Sequence, residues 1–184
     1  AHFFLDESMR VPVSPELGQL EQDGDHVGPG RLLRASEVAR YQDISNGDWK
    51  FLHSDGASGG LGGPKGSSSS RWDERQGNGN MKLENAAGDE PYDPVLTLLG
   101  RTDRVAQTAF TEFGLDRTVN RGVPAMEIET TEGPVLVTTV YDLIMAQYGV
   151  ARGLEGDYPA DYTDKDAAYT PAWQEVFTGV ASET

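Results

Sequence analysis

The chain has 184 residues, with 30 acidic against 15 basic side chains and a formal net charge of −15. That length suffices for one domain with a real core, and so negative a balance disfavours nucleic acid and anionic membranes as partners. There is no cysteine, which excludes disulfides, cysteine-ligated zinc or iron–sulfur groups, and a thiol nucleophile within this chain.

Only 37% of the residues are hydrophobic, beside 22 glycines and 10 prolines, so a loop-rich fold is expected over a helical bundle. No run approaches the roughly twenty apolar residues of a membrane span, and nothing has the basic start and apolar run of a signal peptide. The acidic excess fits a generally soluble surface. More sharply, it fits a high-salt medium, where screening blunts self-repulsion. The opening at Ala1 and the close at Ser182, which reads as an N-cap with no helix after it, suggest a piece of a longer polypeptide.

In chain order, His2 to Leu5 is a short apolar run, and Met9, Val11 and Val13 suit an edge strand interrupted by Pro12 and Pro15. Gly30 to Arg34 starts as a strand, passing into a short helix with Ser36 as N-cap and Val38 and Tyr41 inward. Asp48 to His53 is a strand candidate with Trp49 and Phe51 on one face. Residues 54–70, rich in glycine and serine, are expected to form a surface loop. Met81 to Leu83 and Val95 to Gly100 read as short strands or turns. Residues 101–122 are rich in arginine and threonine, with Phe110 and Phe113 as anchors.

The strongest pattern covers residues 123–150, read as the core hairpin and its packing helix. Met126 and Ile128 alternate with Glu127 and Glu129, so the acids lie on the outer face of a strand. Glu132-Gly133 supplies the turn, and Val135 to Val140 is β-branched and apolar. Val140, Leu143, Ile144 and Gln147-Tyr148 then recur at helical spacing, ended by Gly149. After an acidic link, Thr170 caps a helix with Pro171 at its first position, a buried stripe of Trp173, Val176 and Phe177, and Gly179 at its end.

Residue chemistry alone assembles no active site. His2, His26 and His53 share no ligand spacing. Asp161, Asp164 and Asp166 lack the glycine and glutamate of a calcium loop. Gly59 to Gly66 lacks the Gly-Lys-Ser/Thr ending of a phosphate-binding loop. The serine run has no activating histidine in a known motif. Tyr141 and Asp142 stand where a pocket could form, although a core tyrosine and a first-turn acid favoured by the helix dipole explain them better. No residue is assigned a catalytic, cofactor-binding or metal-ligating role.

The run Val137-Thr138-Thr139-Val140-Tyr141-Asp142-Leu143, followed by Ala146-Gln147-Tyr148-Gly149-Val150-Ala151-Arg152-Gly153-Leu154, resembles the catalytic alpha subunits of membrane-bound respiratory nitrate reductases. These belong to the dimethyl-sulfoxide-reductase family of molybdopterin oxidoreductases. In the same order, Gly30 to Ala35, Asp48-Trp49-Lys50, Arg71-Trp72, Leu96 to Gly100, Tyr169 to Trp173 and Thr178-Gly179-Val180 are similar to those subunits as well. The resemblance runs over residues 30–184 and leaves Ala1 to Val27 unmatched. The acidic composition resembles a haloarchaeal version.

The resemblance implies an α+β segment of a larger subunit, residues 1–184 forming a single piece, with short strands and hairpins, a few short helices and many loops. It implies a parent enzyme that reduces nitrate to nitrite during anaerobic respiration. The parent would use a molybdenum bis-pyranopterin guanine dinucleotide and a [4Fe–4S] cluster. It would take electrons from an iron–sulfur beta subunit and be held at a membrane by partner subunits. The segment is expected to bear no cofactor, to be inactive alone and to pack on the rest of the alpha subunit. The alternative is a free-standing acidic structural or binding module of a halophile without redox activity.

Overall fold

In a computed structural model that describes residues 2–5, 29–43, 47–56, 59–64, 83–84, 93–115 and 117–182, the strands fall in order along the chain. They are β1 (His2–Leu5), β2 (Pro29–Leu32), β3 (His53–Asp55), β4 (Leu61–Pro64), β5 (Leu83–Glu84), β6 (Pro94–Val95), β7 (Val105–Glu112), β8 (Arg117–Pro124), β9 (Met126–Thr130) and β10 (Gly133–Thr139). Two α-helices follow among the described residues, α1 (Val140–Gln147) and α2 (Pro171–Thr178). Strand order is β2-β1-β10-β9 in one sheet and β5-β4-β3-β6 in a second, and β7 pairs with β8. Every strand pair among the described residues is antiparallel. The architecture is α+β and loop-rich.

The hairpin forms where the alternation places it. β9 pairs with β10 from Gly133 opposite Thr130 to Val137 opposite Met126, so Glu132-Gly133 lies in the turn. Ile128 is buried, Met126 is half-buried and Glu127 and Glu129 are exposed. β10 carries apolar residues on both faces because both are covered. Successive side chains of a strand point to opposite sides. Leu136 therefore joins a core with Ala106, Phe110, Val119, Val123, Ala125, Leu143 and Ala146. Val137 joins a second core with Leu33, Ala35, Val38, Leu52, Leu61 and Ile128. Each large buried side chain here stabilises the fold by about 1.5–3 kcal/mol.

Several expectations need correction. The short run at the start is a full sheet partner, since β1 pairs with β10 from His2 opposite Thr139 to Leu5 opposite Leu136. The helix expected after Arg34 is a pair of 3-10 turns, Ala35–Glu37 and Ala39–Tyr41. Its N-cap is Arg34 rather than Ser36: Glu37 Oε2 accepts the Arg34 backbone N–H at 2.7 Å. Val38 is buried and Tyr41 packs against the second core, as expected. Between Asp48 and His53, a 3-10 turn Gly47–Trp49 precedes extended chain, and the strand begins only at His53. The inward positions there are Lys50 and Leu52, at 2% and 1% exposure.

The 54–70 stretch opens as a hairpin rather than a loop, with β3 and β4 paired through Ser54 opposite Leu61. Ser54, Asp55 and Leu61 are buried because this second sheet stands against the core. Residues 65–70, the proposed strand at Met9 to Val13, and Arg71-Trp72 lie outside the described residues. Residues 101–122, read only by composition, contain the two longest strands described, β7 and β8. Phe110 is buried in the first core, whereas Phe113 is 64% exposed.

α1 begins where expected. Its N-cap is Thr139, whose hydroxyl accepts the Asp142 N–H at 3.0 Å. Its buried face is Asp142, Leu143 and Ala146, while Ile144, Tyr141 and Tyr148 are exposed. α2 has the expected Thr170 cap, Pro171 start and left-handed Gly179 end at φ 69°. Of its expected buried stripe only Trp173 is covered. Val176 is 80% and Phe177 51% exposed, the latter touched at its edge by Phe113.

Candidate functional site

The chemistry of this chain concentrates at the two ends of α1, where charged side chains are buried. At the N-terminal end stands Asp142, fully buried. Its carboxylate accepts from the Thr97 hydroxyl at 2.5 Å, the Leu98 N–H at 2.9 Å, the Thr139 hydroxyl at 2.8 Å and Arg152 Nη1 at 2.8 Å. One side chain thus ties the loop after β6, the end of β10, α1 and the segment after α1. A carboxylate in the first helical turn also opposes the positive end of the helix dipole. Arg152 reaches it from a left-handed backbone, φ 48°, a conformation uncommon for a non-glycine residue. Its guanidinium lies 5.7 Å from the centre of the Tyr141 ring. Its Nε and Nη2 are buried without a hydrogen-bond partner.

At the C-terminal end of α1 the buried group is Arg121, 1% exposed on the inward face of β8. It donates through Nη1 to the carbonyls of Ala146 and Gln147 at 2.9 and 3.0 Å, and through Nε to the Asp157 carbonyl at 2.6 Å. Nη2 donates to Glu112 Oε1 at 3.0 Å. Glu112 Oε2 also accepts from Arg117 Nε at 2.5 Å, and Arg117 Nη2 donates to the Asp166 carbonyl at 2.6 Å. A buried charge is costly unless paired and hydrogen-bonded. Here the carboxylate between two guanidiniums, together with the negative end of α1, supplies that pairing. The strand thus positions a cation against the carbonyls of the last helical turn.

The segment after α1 is locked to the same strand. Arg121 bridges to Gly156, and the Asp157 N–H donates to the Asn120 carbonyl at 2.7 Å. Gly156 has φ 149°, and a Cβ there would stand 2.6 Å from Arg121 Cα. Only glycine permits this approach.

Neither of the two described histidines, His2 and His53, joins a metal-holding group. His2 is buried, with Nε2 2.7 Å from the Ser54 hydroxyl and Nδ1 3.2 Å from the Leu52 carbonyl. Burial pushes its pKa down to about 3, so it is neutral at pH 7. Burial also lowers the pKa of His53 on β3, and His26 lies outside the described residues. Asp161, Asp164 and Asp166 do not form a cage. Asp161 accepts from Thr163 N–H at 2.7 Å, and Asp164 accepts from Asp166 N–H at 3.1 Å, as local turns do. Among the described residues no group of three or more His, Cys, Asp or Glu is placed to hold a metal ion. Glu127 and Glu129 are exposed on the outer face of β9, and Arg104 Nη1 donates to Glu127 at 3.3 Å. Tyr141 is 37% exposed, not a core residue.

The third feature is a row of aromatic rings along α2. Tyr148 and Tyr169 meet at 4.8 Å between ring centres, Tyr169 and Trp173 at 5.4 Å, and Trp173 and Phe177 at 4.6 Å. Phe113, in the β7–β8 turn, stands 6.0 Å from Phe177 and 6.2 Å from Trp173. The buried charges Arg121, Glu112 and Arg152 were not singled out in the sequence. The only signal for them was a charge at an inward strand position or beside a glycine, which a surface residue gives as well.

Comparison with known proteins gives a consistent answer. The chain is 34% identical to the respiratory nitrate reductase 1 alpha chain of Escherichia coli (strain K12) over 194 aligned residues, covering 98% of this chain. The chain is related to nitrate reductase alpha chains. The nitrate reductase alpha chain of Bacillus subtilis (strain 168) is 30% identical over 98% of the chain, and the nitrate reductase alpha subunit of Mycobacterium tuberculosis (strain ATCC 25618 / H37Rv) is 35% identical over 97%. No family model matches. These alignments extend the resemblance beyond residues 30–184, since coverage of 98% takes in most of Ala1 to Val27 as well. The chain spans only 14–15% of the length of these nitrate reductase relatives.

Proposed function

We propose that this chain is an internal scaffold segment of the catalytic subunit of a molybdenum-dependent respiratory nitrate reductase, and that it supplies none of the reacting groups. The observation that carries this reading is similarity along 98% of the chain to a stretch amounting to 15% of a nitrate reductase alpha chain. The parent reduces nitrate to nitrite, receives electrons from an iron–sulfur subunit and sits at a membrane through its partners. Among the described residues no helix is long and apolar enough to cross a membrane. The acidic surface suits a parent that works in high salt.

The residues present do not fit the parent's iron–sulfur cluster. A [4Fe–4S] cluster is held by cysteine thiolates, and the chain has none. Two of the buried carboxylates among the described residues, Asp142 and Glu112, are taken up by Arg152, Arg121 and Arg117. The chain's contribution is rigidity: the clamps at both ends of α1 hold β8, β10 and the 151–157 segment in one arrangement.

The test is to isolate the native polypeptide with an antibody against this segment, then measure its mass, its molybdenum and iron, and its nitrate reduction with a reduced dye. A chain several times longer, with both metals and activity, is the expected result. A metal-free chain of 184 residues would overturn the reading in favour of a free-standing acidic module.

A further inference from the structure

α2 presents residues 173, 176 and 177 along one side, the spacing of a single helical stripe, and Val180 follows just past its Gly179 cap. Trp173 faces inward, 9% exposed, while Val176, Phe177 and Val180 are 80%, 51% and 56% exposed. Phe113 adds a ring beside them at 64% exposure. The helix is capped at both ends, by Thr170 and Gly179, so its outward face is held in place. This apolar stripe sits on a chain of net charge −15, where an exposed aromatic cluster is out of keeping with the rest of the surface. A second observation comes from the same place. The Trp173 indole N–H is buried without a hydrogen-bond acceptor, and a buried indole N–H usually has a partner.

The geometry points to the outward face of α2, Val176 and Phe177, with Phe113 and Val180 beside it, as a docking surface for an uncharged apolar face of the same polypeptide beyond these 184 residues. This rests on the proposed segment reading. About 85% of the length of the E. coli relative lies outside the stretch that the chain spans, by difference from 15%, so a longer subunit has ample chain to cover the stripe. Intramolecular packing of this kind leaves no charge on the face, as the stripe shows.

The experiment is hydroxyl-radical labelling of the full-length subunit in its native state, read by mass spectrometry at Phe113, Phe177 and Tyr162. Tyr162, 79% exposed and not part of the aromatic row, is the internal reference. The expected result is labelling of Phe177 and Phe113 about tenfold below that of Tyr162, independent of protein concentration, as for side chains at the centre of a packed interface. Val176→Glu should be tolerated by the segment, because the side chain is 80% exposed within it. In the subunit it should raise Phe177 labelling about tenfold, the effect of driving a charge into an apolar contact. Labelling of Phe177 equal to that of Tyr162 in a long, metal-containing subunit would overturn the docking surface and leave the segment reading standing. Protection that appears only as concentration rises would assign the face to a second copy instead. A native chain of 184 residues would remove the segment reading itself, and the docking surface with it.

Discussion

Replacing Asp142 by alanine tests the clamp on α1 more directly than any other change. The carboxylate is fully buried and accepts four hydrogen bonds, one from Arg152 and three from Thr97, Leu98 and Thr139. Removing it strands the Arg152 charge, which is 14% exposed, and frees the Leu98 N–H. Breaking a buried ion pair from one side costs about 3–5 kcal/mol; the partial exposure of Arg152 places this case near the lower end. Arg152→Ala should cost less, about 1.5–3 kcal/mol, because Asp142 keeps its three other donors. The asymmetry is the sharper prediction: Asp142→Ala should open the site about tenfold more than Arg152→Ala, and the double variant should cost less than the sum. Hydrogen exchange read by mass spectrometry on peptides covering residues 94–104 and 138–150 measures this locally, inside a longer polypeptide or alone. An opening cost of about 3 kcal/mol raises exchange at the Leu98 and Asp142 amides by roughly 150-fold. Equal effects of the two single variants, or exchange unchanged in both, would refute the clamp.

Gly156→Ala should separate the 151–157 segment from β8, because the new methyl meets the Arg121 Cα and the Asn120 carbonyl, both backbone. A cost above about 1 kcal/mol is expected, a melting temperature at least about 2–4 °C lower, and an unchanged value would remove the argument from close approach. His2 predicts a pH dependence. Its pKa is held at about 3, below the ordinary 6.5, so the unfolded chain takes up the proton first as pH falls. Its contribution to stability is full above pH 6.5 and is lost progressively between pH 6.5 and 3. Between pH 6.5 and 4.5 the loss is about 2–3 kcal/mol. Denaturant midpoints measured across that range should fall more steeply for the native chain than for His2→Gln, and parallel slopes would count against a neutral buried imidazole.

The parts that were readable are those where local chemistry has one purpose. The turn at Glu132-Gly133 and the Thr170 cap with Pro171 and Gly179 came out as expected, because turn and cap residues act within a few positions of themselves. Phe110 was read as an anchor and is one. The longest hairpin was not readable. Its inward positions on β7 are Ala106, Thr108, Phe110 and Glu112, with Val105 exposed, so the burial alternates without an alternation in hydrophobicity. The stripe of α2 shows the opposite failure. Its helical period was right, yet Val176 and Phe177 face outward, because a period tells which residues share a face and not whether a neighbour covers it.

By itself the sequence determined the charge of this protein, the absence of thiol chemistry, the central hairpin, the limits of both helices and the kinship with nitrate reductase alpha chains. Only the tertiary structure decided that β1 lies against β10, that Gly/Ser-rich residues near 54–64 pair as strands, and that Asp142 and Arg121 are buried clamps. The physical reason is range. Caps, turns and periodicity depend on neighbours a few residues away. Strand partners and buried ion pairs such as Arg121 with Glu112 depend on which distant segments exclude water together, and a charged residue has the same letter whether it faces solvent or a carbonyl inside the fold.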